Sequence, residues 1–210
     1  MDFWHMNPWK IFLAGGPVMW PILISSVWAL AIIIEKLWHL RCIRVDTDKF
    51  LKAILEKLKQ QKIKEAVFDC DITSSPIGRI LKAGILKHGR TRVEIKEALT
   101  DASLYEIPWL EKNLSVLATI AHVAPLLGLL GTVTGMVSCF NTIQMKATSL
   151  RPVSPGDLAG GIWEALLTTV AGLVVAIPAF IVYNYLVSRV NALILEMERA
   201  ATELVNFLTE

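Results

Sequence analysis

"GGIWEALLTTVAGLVVAIPA", residues 160–179, is small or apolar at almost every position, yet it carries one acid, Glu164. Thr168 and Thr169 follow it closely and Pro178 comes near the end. The run extends further: between residues 158 and 188, Glu164 is the single charged residue. A helix needs roughly 20 largely apolar residues to cross the ~30 Å hydrocarbon core of a bilayer. This stretch is long enough. Two others match it, because residues 11–34 and 113–145 contain no Asp, Glu, Lys or Arg. Hydrophobic residues make up 54% of the 210 and the mean hydropathy is +0.51, richer than the roughly 45–50% of a soluble domain. Three such segments predict an all-α integral membrane protein with three transmembrane helices. Buried helices of a soluble protein rarely run so long.

The first segment is preceded by Asp2 and Lys10 and followed by "EKLWHLRCIR". Neither a basic leader nor a small-residue cleavage site flanks it, so it reads as a retained helix rather than a signal peptide. We place it at 17–38, after a short external or interfacial segment, 1–16. Pro17 and Pro21 suit first-turn positions, where a missing N–H matters little. Trp4, Trp9 and Trp20 at one end and Trp38 at the other have the placement of interfacial aromatic belts.

Lys and Arg set the expected orientation. Residues 35–112 hold 16 of the 21, and positive residues stay in the cytoplasm. The N-terminus is then outside and 39–115 forms a helical cytoplasmic domain. The second membrane helix is 116–142, 143–157 is a periplasmic loop, 158–187 is the third membrane helix, and 188–210 is a cytoplasmic C-terminal helix. Within the cytoplasmic part, "DKFLKAILEKLKQ" puts Phe50, Leu51, Ile54, Leu55 and Leu58 on one helical face, with Asp46 or Thr47 as cap. "SSPIGRILKAGILKHG" offers a Ser cap, Pro76 at the first helical position and Gly89 as a stop. "TRVE" is a capping box of Thr91 with Glu94. From there the pattern runs on into the second membrane segment, which predicts one long helix bent at Pro108 or Pro125. The third helix likewise runs on into the amphipathic tail, with Pro178 as a second kink position. No strand pattern or internal repeat is seen.

The sequence offers little for enzyme chemistry: HExxH, GxSxG, P-loop and paired-Cys motifs are lacking. No cofactor or metal is expected. Cys42, Cys70 and Cys139 read as reduced thiols or core fillers. His122, in the second apolar segment, reads as structural rather than as a proton relay, having no acidic neighbour in sequence. The basic 41–64 stretch alternates charge with an apolar stripe. That is a solvated face near anionic lipid rather than a nucleic-acid surface.

Small residues mark the helix contacts. Gly128, Gly131 and Gly135 on the second segment, and Thr168, Gly172 and Ala176 on the third, form faces that let backbones approach closely in lipid. Glu164 needs a separate reason. An ionised acid deep in hydrocarbon costs about 2.5–3.5 kcal/mol even on insertion scales, so intramembrane acids usually face a cavity or a partner and often carry protons. Desolvation favours the neutral form of a carboxyl group. The plainer reading puts Glu164 only about 10 Å below the interface, seven residues after Asp157. Thr132, Thr168 and Thr169 either line a polar path with it or bond back to carbonyls of their own helices.

"APLLGLLGTVTGMVSCF", "GGIWEALLTTVAGLVVAIPAFIVYN" and "GPVMWPILISSVWALAIIIEKLW" together resemble the ExbB/TolQ/MotA proton-channel family, nearest its ExbB and TolQ branch. The resemblance covers nearly the whole chain. It implies an inner-membrane subunit, five copies around a pore that holds the single transmembrane helices of an ExbD- or TolR-like partner. It also implies a TonB- or TolA-like energiser, driven by proton flow. By motif, the family's third-helix glutamate falls on Glu164, its third-helix threonine on Thr169 and its second-helix threonine on Thr132. The proton-binding aspartate is expected on the partner. The expected function is therefore a stator and channel subunit for energised outer-membrane import. The alternatives are a TolQ-type subunit for envelope maintenance and a non-conducting membrane scaffold, which would need neither Glu164 nor the threonines. A small-solute transporter fits poorly, since three helices without an inverted repeat give no midplane site.

Overall fold

In the computed structural model, residues 8–43, 45–73, 75–148, 152 and 154–209 are described. The first seven residues of the expected 1–16 segment and part of the expected 143–157 loop, Ser149 and Arg151 included, lie outside them. The described residues form eight helices and no strand: α1 (Pro8–Ala14), α2 (Met19–Cys42), α3 (Thr47–Lys59), α4 (Ile63–Ile72), α5 (Pro76–Ile85), α6 (Arg92–Glu111), α7 (Leu114–Thr148) and α8 (Pro155–Thr209). The fold is all-α. Three helical stretches, Met19–Lys59, Arg92–Thr148 and Leu158–Thr209, are long and apolar enough to cross a membrane.

The chain forms two units. The first combines the described part of Met1–Ile34 with Leu114–Asn184. Its interior is built of small and branched residues: Ile22, Ala29 and Ile32 from α2, Leu117, Ala121 and Ala124 from α7, Ala165, Ala176 and Ala179 from α8. Large side chains such as Leu126, Val133, Val137, Val174 and Ile181 are turned outward. In water that distribution would be unfavourable, but hydrocarbon removes the penalty on exposed Leu and Val and leaves close backbone packing to drive association.

The second unit combines Glu35–Asn113 with Tyr185–Glu210, and its local grammar is that of a soluble helical domain. Asp46 caps α3 by accepting from the Lys49 N–H, and Leu51, Ile54 and Leu58 form its buried face. Ser75 caps α5 by accepting from Gly78 N–H, with Pro76 at the first turn. Thr91 and Glu94 make the reciprocal capping box at the start of α6. Gly89 has φ +81° and lies in the turn after α5. A β-carbon at Gly84 would stand 2.8 Å from Leu99 Cδ2 and 3.1 Å from Leu204 Cδ2. That glycine lets α5 approach α6 and the end of α8. Arg79 pairs two-pronged with Glu106 at 2.5 and 2.6 Å, Lys82 pairs with Asp71, and Lys57 pairs with Asp69.

The expected single long second helix is divided. α6 ends at Glu111 and α7 begins at Leu114. Lys112 takes an extended ψ of 138°, and Asn113 takes φ +65°, a left-handed conformation that Asn tolerates better than most residues. Pro108 and Pro125, the expected bend positions, sit inside α6 and α7 without ending them, and Pro178 likewise lies within α8. The break leaves carbonyls at the end of α6 without intrahelical donors. Lys36, only 2% exposed, supplies them: its ammonium donates to Leu110 O at 3.1 Å and Trp109 O at 3.4 Å. A cation at a helix C-terminus is also favoured by the helix dipole. Asn113 Nδ2 donates to Glu35 Oε2 at 3.1 Å, so neighbouring residues of α2 hold both sides of the break.

Candidate functional site

The site grows from the glycines of the first unit. α7 and α8 lie against each other backbone to backbone. A β-carbon at Gly172 would stand 2.6 Å from Ala124 O and 3.2 Å from Gly128 Cα. At Gly128 it would meet Thr168 O and Thr169 Cα at 3.0 Å, and at Gly135 Gly161 O at 3.0 Å and Ala165 Cβ at 3.1 Å. Ala176 is buried on the same face of α8. The expected packing residues are thus brought together as one seam. Gly161 belongs to it as well, opposite Cys139 and Gly135. The sequence reading passed over Gly161, although its position four before Ala165 continues the small-residue spacing.

The threonines divide. Thr168, 1% exposed, fills the seam: a β-carbon at Gly131 would stand 2.1 Å from its Oγ1 and 2.4 Å from its Cβ. Its hydroxyl donates within α8, to Ala165 O at 2.8 Å. Thr169 is half-buried and crosses the seam, donating to Gly128 O at 3.2 Å as well as to Ala165 O. Thr132 is also half-buried and turns its hydroxyl back to Leu129 O at 2.6 Å. Thr134 bonds Leu130 O and Gly131 O in the same way. Each of these hydroxyls is therefore occupied by a carbonyl, the back-bonded arrangement rather than a row of free donors. His122 donates from Nδ1 to Ala118 O at 2.7 Å and sets its ring edge-on to Phe180 at 5.9 Å. Both contacts are structural.

Glu164 is half-buried. Its carboxyl reaches the turn between α1 and α2, where a β-carbon at Gly16 would stand 1.8 Å from Oε1 and 2.8 Å from Cδ. Gly16 has φ +69°, so the turn relies on glycine for its conformation and for the space above it. The sequence signal was present, a Gly–Gly–Pro turn between apolar runs, but not what the glycine faces. Among the described residues, no group of three or more His, Cys, Asp or Glu side chains has the geometry of a metal site.

Three membrane-length helices, with two meshed through glycines beside a lone acid, define a multi-pass helical membrane protein. The chain belongs to the MotA/TolQ/ExbB proton channel family, which matches residues 72–199. It is 30% identical over 183 residues to a biopolymer transport protein ExbB homolog of Methanothermobacter thermautotrophicus, covering 87% of this chain and 63% of that protein. It is 34% identical over 178 residues to an ExbB-like biopolymer transport protein of Synechocystis, covering 82% and 81%. It is 28% identical over 206 residues to the Tol-Pal system protein TolQ of Pseudomonas aeruginosa, covering 90% and 87%.

Proposed function

We propose that this chain is the stator and channel subunit of an inner-membrane motor driven by the proton-motive force, working with an ExbD- or TolR-like single-pass partner. One observation carries the reading. Glu164 is the single charged residue of the apolar stretch 158–188, and the hydroxyls of Thr132, Thr168 and Thr169 are already engaged by carbonyls. Its carboxyl is therefore the acid on this wall able to bind and release a proton. The engaged threonines offer no free hydroxyl hydrogens, and the Leu, Val, Ala and Gly around them present a smooth surface on which an inserted helix can shift or turn. Ring assembly follows from polarity. A carboxyl group is a poor lipid-facing group, three helices enclose no channel, and the outward Leu and Val of α7 and α8 supply surface for neighbouring copies. Five copies, a TonB- or TolA-like energiser and an N-out, C-in orientation complete the proposal.

Glu164→Gln removes the titratable proton and nearly preserves volume. It is expected to assemble with the partner at normal levels and to lose proton-driven work. Undiminished output from Glu164→Gln at normal levels would instead favour a non-conducting scaffold. Relatives named ExbB and TolQ both match along the chain, which keeps the Tol-Pal role as a second reading. Complementation separates the two. Restored import in a strain lacking its own ExbB supports the first, and restored envelope integrity in a strain lacking TolQ supports the second.

A further inference from the structure

We propose that Gly16 is the positioning residue of the Glu164 carboxyl, so that the turn leading into the first membrane helix decides where that carboxyl stands. This rests on the reading of Glu164 given above. The ground is the contact itself. Oε1 occupies the space a β-carbon at Gly16 would take, at 1.8 Å, with Cδ at 2.8 Å and Cγ at 3.5 Å. The three distances increase back along the side chain, so the glutamate meets the turn with its tip. Any residue other than glycine at 16 displaces the carboxyl group and leaves the stem of Glu164 in place.

The turn is built to stay there. Gly16 lies at φ +69°, Met19 N–H donates to Gly16 O at 3.2 Å and Trp20 N–H to Pro17 O at 3.3 Å. On its α1 side, Gly15 N–H donates to Phe12 O, and the Phe12 ring is buried between Trp9 at 5.6 Å and Trp20 at 5.1 Å. Aromatic pairs of this kind add stability beyond their buried area. The backbone facing the carboxyl is thus fixed on both sides. The glycine acts by leaving room: a fixed backbone without a β-carbon gives the carboxyl its place to stand.

The test is made on the intact complex in native membranes. A hydrophobic carbodiimide adds to protonated carboxyl groups, and its rate at Glu164, followed by mass spectrometry across pH, reads the surroundings of the carboxyl without using transport. Gly16→Ala is expected to change that rate by about threefold or more and to alter its pH profile, because the carboxyl must leave its place. Gly89→Ala is the control for backbone strain alone, since Gly89 has φ +81° with nothing within 4 Å of an added β-carbon. It is expected to leave the Glu164 rate unchanged. Should Gly16→Ala accumulate poorly, Gly16→Asn adds the same β-carbon with a residue better suited to positive φ. Equal rates and profiles in wild type and the Gly16 variant overturn the proposal, as does an equal change in Gly89→Ala. The outcome for Glu164→Gln is read separately. Loss of work there, combined with unaltered labelling in Gly16→Ala, removes the positioning role and leaves the proposed function standing.

Discussion

Gly172 and Gly160 lie on the same helix, and the structure assigns them opposite responses to alanine. At Gly172 the new β-carbon meets Ala124 O at 2.6 Å and Gly128 at 3.2 Å. Both are backbone, so no side chain can rotate away. Reaching an ordinary 3.4 Å contact requires the two helices to separate by about 0.8 Å. The bond from Thr169 Oγ1 to Gly128 O, now 3.2 Å, would lengthen to about 4 Å and be lost. Overpacking costs about 1–3 kcal/mol, and an interhelical hydrogen bond in a membrane protein averages about 0.6 kcal/mol. Alanine recovers up to about 1 kcal/mol of helix propensity over glycine. The net expectation for Gly172→Ala is a loss of about 1–3 kcal/mol. Gly160 has nothing within 4 Å of an added β-carbon, so Gly160→Ala should be neutral or more stable by up to about 1 kcal/mol. Unfolding of the purified chain in mixed micelles by titration with sodium dodecyl sulfate, followed by circular dichroism, measures both. Equal stability of the two variants would refute the backbone-contact account.

Lys36→Met should leave Trp109 O and Leu110 O without their donor, costing about 1–3 kcal/mol. Hydrogen exchange should show the last turn of α6 opening faster, and unchanged exchange there would rule out the cap. Burial, with Asp69 and Asp71 adding to it, pushes the Cys70 thiol up from 9.0 to about 12. The folded state then holds that proton more tightly than the unfolded chain. Stability present below pH 9.0 is lost as pH rises towards about 12, by as much as about 1.4 kcal/mol per pH unit. Cys70→Ala should flatten this alkaline loss, and an equally steep decline in the variant would contradict it. For orientation, a cysteine placed at Ser149 should react with an impermeant reagent from outside the cell and one at Lys87 should not. The reverse pattern would invert the proposed topology.

What could be read ahead of the structure depended on how far each cause lay along the chain. The caps at Asp46, Ser75 and Thr91 are local chemistry, with side chain and backbone partner within three residues, and all three were legible. The apolar runs were legible because lipid imposes its length on them. The glycine seam was half legible. Spacing marked Gly128, Gly131, Gly135 and Gly172, but did not show that Thr168 would be the residue filling Gly131. The break at Lys112–Asn113 was not legible. Neither residue is a strong helix breaker, and the amine that caps the carbonyls it frees, Lys36, comes from another helix. The prolines that did attract attention, Pro108 and Pro125, lie within intact helices. Gly16 was missed for the same reason as the break. A turn glycine looks complete on local grounds, and the acid it faces is on α8.

The amine that closes α6 belongs to a part of the chain that the ribosome makes first. By the time Trp109 and Leu110 emerge, Lys36 has long been synthesised. The donor for the last carbonyls of α6 is therefore made before α6 itself. A fragment beginning after Cys42 would carry every residue of α6 and α7 but not that donor. Trp109 O and Leu110 O would then lack the ammonium that meets them, and Asn113 the Glu35 carboxylate to which it donates. In this protein the end of one helix is satisfied by a group from another, more than seventy residues earlier in the chain.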